Sequence, residues 1–477
     1  MTSRLVLAAL LTCACPPPAH AQSPLVMPAP SAGPLTLDEV LRASARAAPQ
    51  IVEALARVRQ AEGRALTAEG AFDTVFDVDG RSRVLGYYDG TVVEGRATRP
   101  LTNNGGYLYG GYRASRGDFP IYEDQNFTNR LGEIKVGGLF SLLRDRLVDE
   151  RRTRRTLAAT DIDIARFEGE MVAIGVQRRA VDAYQNWVAA GFRLRAYRGL
   201  LDLAERRRGA IVRQVQLGAR PEILLVENDQ NLVRRRALVV RAEQDLNVAA
   251  NALSLYLRDE TGEPMVVSAE RLPTNPAALA GPGGALVSPP TARPDLQQVL
   301  ARIDQSVAKL ALAENDLKPR IDLRGELGKD VGPEGLGGPT RTPLEAIVGF
   351  RFSVPLQNRA AKGRAAEARA EIDGLRSRQR LLRDQIAVEV EGITINVGAA
   401  ERLAGIAEQE RALADRLAAA ERRRFELGSS DFFLVNQREE TATDAQVRLV
   451  DAQARIASAR AELAAATADR RALGLAP

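Results

Sequence analysis

Three short patterns occur twice in this chain, in the same order and about half a chain apart. A duplication of that kind restricts the possible folds more than any composition does. Phe76-Asp77-Val78-Asp79-Gly80 is answered by Ile321-Asp322-Leu323-Arg324-Gly325. Val136-Gly137-Gly138-Leu139-Phe140-Ser141 is answered by Val348-Gly349-Phe350-Arg351-Phe352-Ser353. Arg213-Gln214-Val215-Gln216-Leu217-Gly218 is answered by Arg423-Arg424-Phe425-Glu426-Leu427-Gly428. The second and third patterns are 77 residues apart in one copy (Ser141 to Gly218) and 75 in the other (Ser353 to Gly428). The order predicts two repeats of strand, strand, long helix, turn and helix, over 36–258 and 293–474.

Proline placement sharpens the map. No proline lies between Pro120 and Pro221, or between Pro355 and Pro477. Because interior proline breaks a helix, these intervals are where long helices fit, from Asp145 to Gly218 and from Asn358 to Gly428. At about 1.5 Å per residue each would run roughly 105–110 Å. In the second, Ile386, Val390, Ile393, Val397, Ala400, Ala404 and Ala407 alternate spacings of four and three, a coiled-coil seam of mostly small residues. Both helices end in Leu-Gly, where glycine accepts the left-handed conformation. Restart signals follow: Pro221-Glu222 after the first, and the capping oxygens of Ser429, Ser430 and Asp431 after the second. Helical hairpins are therefore expected at about 145–258 and 358–473. Shorter helices, about 36–70 and 294–317, precede strand pairs at about 72–143 and 319–356. A segment rich in Pro and Gly, 259–292, links the halves.

The strand pairs alternate with period two, which sends one set of side chains to each face. Phe76, Val78, Val136, Phe140, Ile321, Leu323, Val348, Phe350, Phe352 and Val354 make the apolar set, and charged residues such as Asp77, Asp79, Asp322 and Arg324 make the other. An apolar face backed by charge fits a barrel wall with lipid outside and water inside; a soluble sheet on a core is the alternative. The first hairpin is 33 residues longer than the second, and six of the nine tyrosines fall in it. Tyrosines there suit a membrane-interface girdle or an ordinary exposed loop. No later stretch is long and apolar enough for a transmembrane helix.

The chain starts with Arg4, an apolar run from Leu5 to Cys15, and Ala19-His20-Ala21 before Gln22. This reads as a signal peptide, residues 1–21, cleaved between Ala21 and Gln22, with an extended segment 22–35 following it. Lipidation at Cys13 or Cys15 is the alternative, although neither follows a convincing lipobox. Cleavage would remove both cysteines and the only histidine. The mature chain would then hold no thiolate nucleophile, no imidazole base and no Cys/His metal site. No catalytic, cofactor or metal residue is expected. Loss of Arg4 lowers the formal charge from +5 to +4, and the arginines interleave with Asp and Glu. That pattern is a solvated helix surface rather than a nucleic-acid-binding patch.

Taken together and in order, these features resemble the TolC-like outer-membrane efflux proteins, over about 36–475. The resemblance implies a mainly α fold with a membrane β-barrel contribution, four strands per chain closing as a twelve-stranded barrel in a homotrimer. It implies a duct for a tripartite efflux or type I secretion system, with its helices crossing the periplasm. There the tips meet a periplasmic adaptor, itself driven by an inner-membrane pump. Carried over, the docking residues are Arg213, Leu217, Gly218, Ala219, Arg220, Arg423, Leu427, Gly428, Ser429, Ser430 and Asp431. The best-known members carry acidic residues six and nine positions past the second tip glycine; here those positions hold Leu434 and Gln437. A constriction would instead use Glu222, Glu227, Asp431 or Leu434. A periplasmic coiled-coil adaptor or scaffold is the competing function class, since it also has helical hairpins with tight tips.

Overall fold

The structure is a computed structural model and describes residues 33–281 and 293–475. The expected signal peptide, its cleavage point, Cys13, Cys15 and the later part of the 259–292 segment lie outside the described residues. In chain order the elements are α1 (Leu37–Ala47), α2 (Pro49–Glu69), β1 (Val75–Ser82), β2 (Thr91–Pro100), β3 (Tyr107–Arg116), β4 (Glu133–Ser141), α3 (Glu150–Gln216) and α4 (Ile223–Leu253). The second half continues with α5 (Pro294–Asn315), β5 (Arg320–Asp330), β6 (Glu345–Ser353), α6 (Arg359–Glu426) and α7 (Phe432–Ala466).

Helices α3 and α6 hold 67 and 68 residues, about 100 Å each. Both are entered from a strand through a non-glycine residue of positive φ, Asp145 (65°) before α3 and Asn358 (50°) before α6. Asp and Asn are the side chains that tolerate this region best. Both helices end in the same hydrogen-bond pattern. Gly218 N–H donates to Val215 and Ala219 N–H to Gln214; Gly428 N–H donates to Phe425 and Ser429 N–H to Arg424, all at 2.9–3.0 Å. This is a Schellman turn, and it requires the positive φ that both glycines show (70° and 77°). The restarts differ from expectation. Asp431 makes no side-chain cap on α7. Ser429 Oγ turns back to the Arg424 carbonyl (3.0 Å) and Ser430 Oγ to Glu421, so these oxygens close the end of α6 instead of opening α7. The expected helix at 36–70 is two helices, because Ala48, forced to extended backbone by Pro49, interrupts it.

The helices form a single curtain of four columns. Helices α2 and α4 share one flank of α3, α5 and α7 share the other, and α6 lies beyond α5 and α7. Ion pairs mark each seam: Arg198–Glu243 (2.7 Å) between α3 and α4, Arg193–Asp451 (2.9 Å) between α3 and α7, and Arg448–Glu410 (2.7 Å) between α7 and α6. The main core lies at mid-height around Tyr184, Trp187 and Val188, where α1, α3, α4 and α7 meet the segment after α4. That segment is no free tether in its described part. Leu272 packs where a Cβ on Gly191 would be, Arg195 donates to the Pro273 carbonyl (2.7 Å), and Arg271 pairs with Glu39 (2.8 Å).

The sheet departs most from expectation. It has six antiparallel strands in the order β1-β2-β3-β4-β5-β6, not four. The duplicated patterns fall on β1 and β5, and on β4 and β6. The extra 33 residues of the first hairpin are therefore a β2–β3 hairpin inserted between β1 and β4, with no counterpart in the second half. Its apolar-face positions include Gly95, Ala97, Gly110 and Ala114, and small residues give a weak period-two signal. The hairpin is built into the wall. Its helix-side turn donates from Gly105 N–H to the Asp145 carbonyl (2.8 Å) and accepts from Arg151 (2.7 Å).

Candidate functional site

Two places in this fold bring distant residues together: the two faces of the sheet and the two helical tips. Following the register from strand to strand sorts most of the side chains, with Arg99 and Lys329 on the apolar face and Leu139 and Ile347 on the ionic one among the exceptions. Residues directly opposite in antiparallel strands share a face. Phe76 and Val78 of β1 lie with Ala97 and Gly95 of β2, and these with Gly110 and Tyr112 of β3. The same face continues through Ile134, Val136 and Phe140 of β4, Ile321, Leu323 and Leu327 of β5, and Val348, Phe350 and Phe352 of β6. All of the apolar strand residues singled out in the sequence lie on this face except Val354, which follows the end of β6. Phe350 is 81% exposed and Val348 78%, so none of the described residues covers them. Strands β2 to β6 hold 9 to 11 residues each, the span a tilted strand needs to cross a bilayer.

The opposite face is ionic. Glu326 of β5 accepts from Tyr109 of β3 and from Arg324 (2.7 Å), and Lys135 of β4 approaches it at 3.3 Å. Glu133 accepts from Arg113 and lies 3.1 Å from Lys135. Arg96 stacks over the Tyr109 ring, its centre 5.0 Å away. Sequence reasoning singled out Tyr109 only as one of the tyrosines suited to an interface girdle, and did not find Arg96, Arg113, Glu133 or Lys135. The tyrosines divide accordingly. Tyr107 and Tyr109 are on the ionic face, Tyr112 on the apolar one, and Tyr87, Tyr88 and Tyr122 in the outer loops, so they form no single girdle. Among the described residues, no helix is long and apolar enough to cross a membrane.

At the far end of the curtain the two tips touch. The Arg220 guanidinium lies over the Phe425 ring at 5.4 Å, and Phe425 packs on Phe432. Leu217 and Leu427, the residues before the two glycines, point outward and are 82% and 77% exposed. Arg213 and Arg423 supply the carbonyls that the Leu217 and Leu427 amides bond (3.1 Å each). Of the candidate constriction residues, Glu227 lines an open groove between α4 and α7 with Arg234, Phe433 and Gln437. Glu222 and Asp431 sit at the starts of α4 and α7, and Leu434 is half-buried. The structure does not bring these four into one cluster.

Just above the tips lies a group the sequence did not reveal. Glu439 of α7 is buried and receives Arg207 of α3 and Arg235 of α4 (3.3 Å). Arg235 also donates to the Leu200 carbonyl (2.9 Å), and Arg207 reaches Asn436 (2.8 Å). Burial lowers the pKa of Arg235, against the pull of Glu439. Arg207 and Glu439 are more than two hundred residues apart, so no local pattern links them. At mid-height burial pushes the Tyr184 phenol up to about 12, and its hydroxyl donates to the Leu35 carbonyl (3.0 Å).

Among the described residues, both flanks of the curtain are unpartnered and carry an apolar stripe. On α4, Val226, Val233, Val240 and Val248 are exposed; on α6, Leu381, Val388, Ile395, Leu403, Ile406 and Leu413 are exposed. Spacings of seven recur along both stripes, a signal that was present in the sequence beside the buried α6 seam. The same two flanks carry the open sheet edges, since β1 follows α2 and β6 precedes α6.

Residues 291–469 match the family model described as outer membrane efflux protein. The matched stretch, a little over a third of the chain, holds α5, β5, β6, α6 and α7. No curated protein matches the chain in a sequence search. Solved structures extend the likeness, as one of fold, over nine-tenths of the chain. The CmeC outer membrane channel of Campylobacter jejuni is 13% identical with a TM-score of 0.58, covering 90% of this chain and 85% of that one. The outer membrane protein VceC of Vibrio cholerae is 15% identical with a TM-score of 0.58, covering 92% and 96%. The open state of the MtrE outer membrane channel of Neisseria gonorrhoeae is 12% identical with a TM-score of 0.59, covering 92% and 89%. The folds of these channels and of this chain correspond over most of their lengths.

Proposed function

We propose that three copies of this chain assemble side by side into an outer-membrane channel whose helices continue across the periplasm. The channel is the passive exit duct of a tripartite efflux or type I secretion system; it catalyses nothing and uses no cofactor. A partner inner-membrane pump supplies the energy, and a periplasmic adaptor docks at the Leu217-Gly218 and Leu427-Gly428 tips. The observation that carries this reading is the coincidence of two open edges on each flank. One flank offers β1 and the valine stripe of α4, the other β6 and the leucine–isoleucine stripe of α6. A head-to-tail ring covers all four at once, and unpaired strand edges cannot remain in lipid. The apolar sheet face then meets lipid and the ionic face lines water.

Native mass measurement of the protein extracted from outer membranes in detergent tests this. Three copies are expected. A monomer, or a protein released without detergent, refutes the channel and favours the coiled-coil adaptor or scaffold.

A further inference from the structure

We propose that the ring closes an eighteen-stranded barrel, in which β6 of one copy pairs antiparallel with β1 of the next. This rests on the three-copy reading above and adds to it the strand number and the residues at the joint. The β2–β3 hairpin lies inside the sheet, paired with β1 over 91–98 on one side and with β4 over 107–113 on the other. Its turn is also bonded to the β4–α3 corner at Asp145 and Arg151. The hairpin is therefore part of the wall, and each chain contributes six strands where a bare pair of hairpins would give four.

The edges suit a second copy of this chain. With an even number of strands, β1 and β6 run in opposite directions, so a neighbour's β6 meets β1 antiparallel, as every other pair in the sheet does. Neither strand contains proline, and neither has a covering element among the described residues. Charge is complementary along the joint. Asp77 and Arg351 lie near the helix-side ends of their strands, and Arg81 and Glu345 near the outer ends, all four on the ionic face. On the other face Phe76 and Val78 come beside Val348, Phe350 and Phe352, which continues the apolar band across the seam.

With strands about 4.8 Å apart and tilted about 40°, eighteen strands enclose a backbone diameter of about 36 Å, against about 24 Å for twelve. A barrel of this size leaves an open aqueous bore. The exit end would be wider than a twelve-stranded duct, with the narrowing left to the helical tips.

Cysteine pairs test the joint in a chain whose Cys13 and Cys15 are replaced by serine. Asp79→Cys combined with Gly349→Cys or Arg351→Cys should give oxidant-dependent dimers and trimers on denaturing gels. Asp79→Cys with Glu94→Cys, opposite each other in β1 and β2, should close within one chain. A protein of three copies in which Asp79→Cys instead joins Lys135→Cys of its own β4 would overturn the eighteen-strand count alone. A protein that is not three copies overturns the reading beneath it. Electron cryo-microscopy of the unmodified protein in nanodiscs gives the count without substitution: eighteen strands are expected, and twelve would refute the proposal.

Discussion

Replacing Glu439 with glutamine should loosen the tip-proximal part of the helical curtain by about 3 kcal/mol while leaving the sheet untouched. The Glu439 side chain is 1% exposed and that of Arg235 0%, so the pair exchanges water for protein almost completely. Removing one partner of such a pair typically costs about 3–5 kcal/mol, because the remaining charge stays buried. Three features place this substitution at the lower end. Glutamine keeps one acceptor oxygen, Arg235 retains the Leu200 carbonyl at 2.9 Å, and Arg207 retains Asn436 at 2.8 Å. About 3 kcal/mol corresponds to somewhat more than a hundredfold in the local opening equilibrium. Hydrogen exchange by mass spectrometry in detergent reads this directly. Amides of 200–213, 228–239 and 436–443 should exchange about a hundredfold faster, and those around Trp187 should not change. Adding Arg235→Met should restore part of the protection, since it removes the cation left unpaired. Unchanged protection in Glu439→Gln, or a double variant whose losses simply add, would refute the argument that buried charge holds the two hairpins together.

Phe350→Arg puts a cation on the apolar sheet face and should cost about 2–4 kcal/mol if that face meets lipid. Gly349→Arg, one residue away on the ionic face with open space around it, should be tolerated; equal thermal stability of the two variants in detergent and in lipid would argue against a membrane wall. Gly218→Ala and Gly428→Ala should each cost about 1–2 kcal/mol, because the backbone φ is positive although nothing lies within 4 Å of a new Cβ. A denaturant midpoint identical to the parent's would show that the turn relaxes. Tyr184 should add a stability loss confined to alkaline pH. Below pH 10 the phenol is neutral in both states; above it the unfolded chain ionises first, and the loss grows to about 2–3 kcal/mol as pH approaches about 12. The difference in denaturant midpoint between the parent and Tyr184→Phe, followed from pH 9 to 12, should show that slope, and a flat difference would contradict it.

The parts of this fold that act over a few residues were legible in the chain. The Leu-Gly pairs at 217–218 and 427–428 stand at the ends of α3 and α6, since a left-handed glycine is a local requirement. Proline-free intervals contain both long helices because proline disrupts only its own turn. Period two identified β1, β4, β5 and β6, whose apolar positions hold Phe, Val, Ile and Leu. It failed for β2 and β3, where glycine and alanine take those positions and only pairing with β1 and β4 makes the segments strands. The serines after Gly428 show the same limit from the other side. Their type allowed capping of α7, but the geometry of the turn sent their hydroxyls back to α6. Arg207, Arg235 and Glu439 are ordinary charged helix residues in sequence. They become a buried cluster only because α3, α4 and α7 converge there. Proline, glycine and periodicity thus determined where elements begin and end, because those preferences belong to each residue and its neighbours. Which strands lie side by side, and which charges lose their water, was decided by packing between segments hundreds of residues apart.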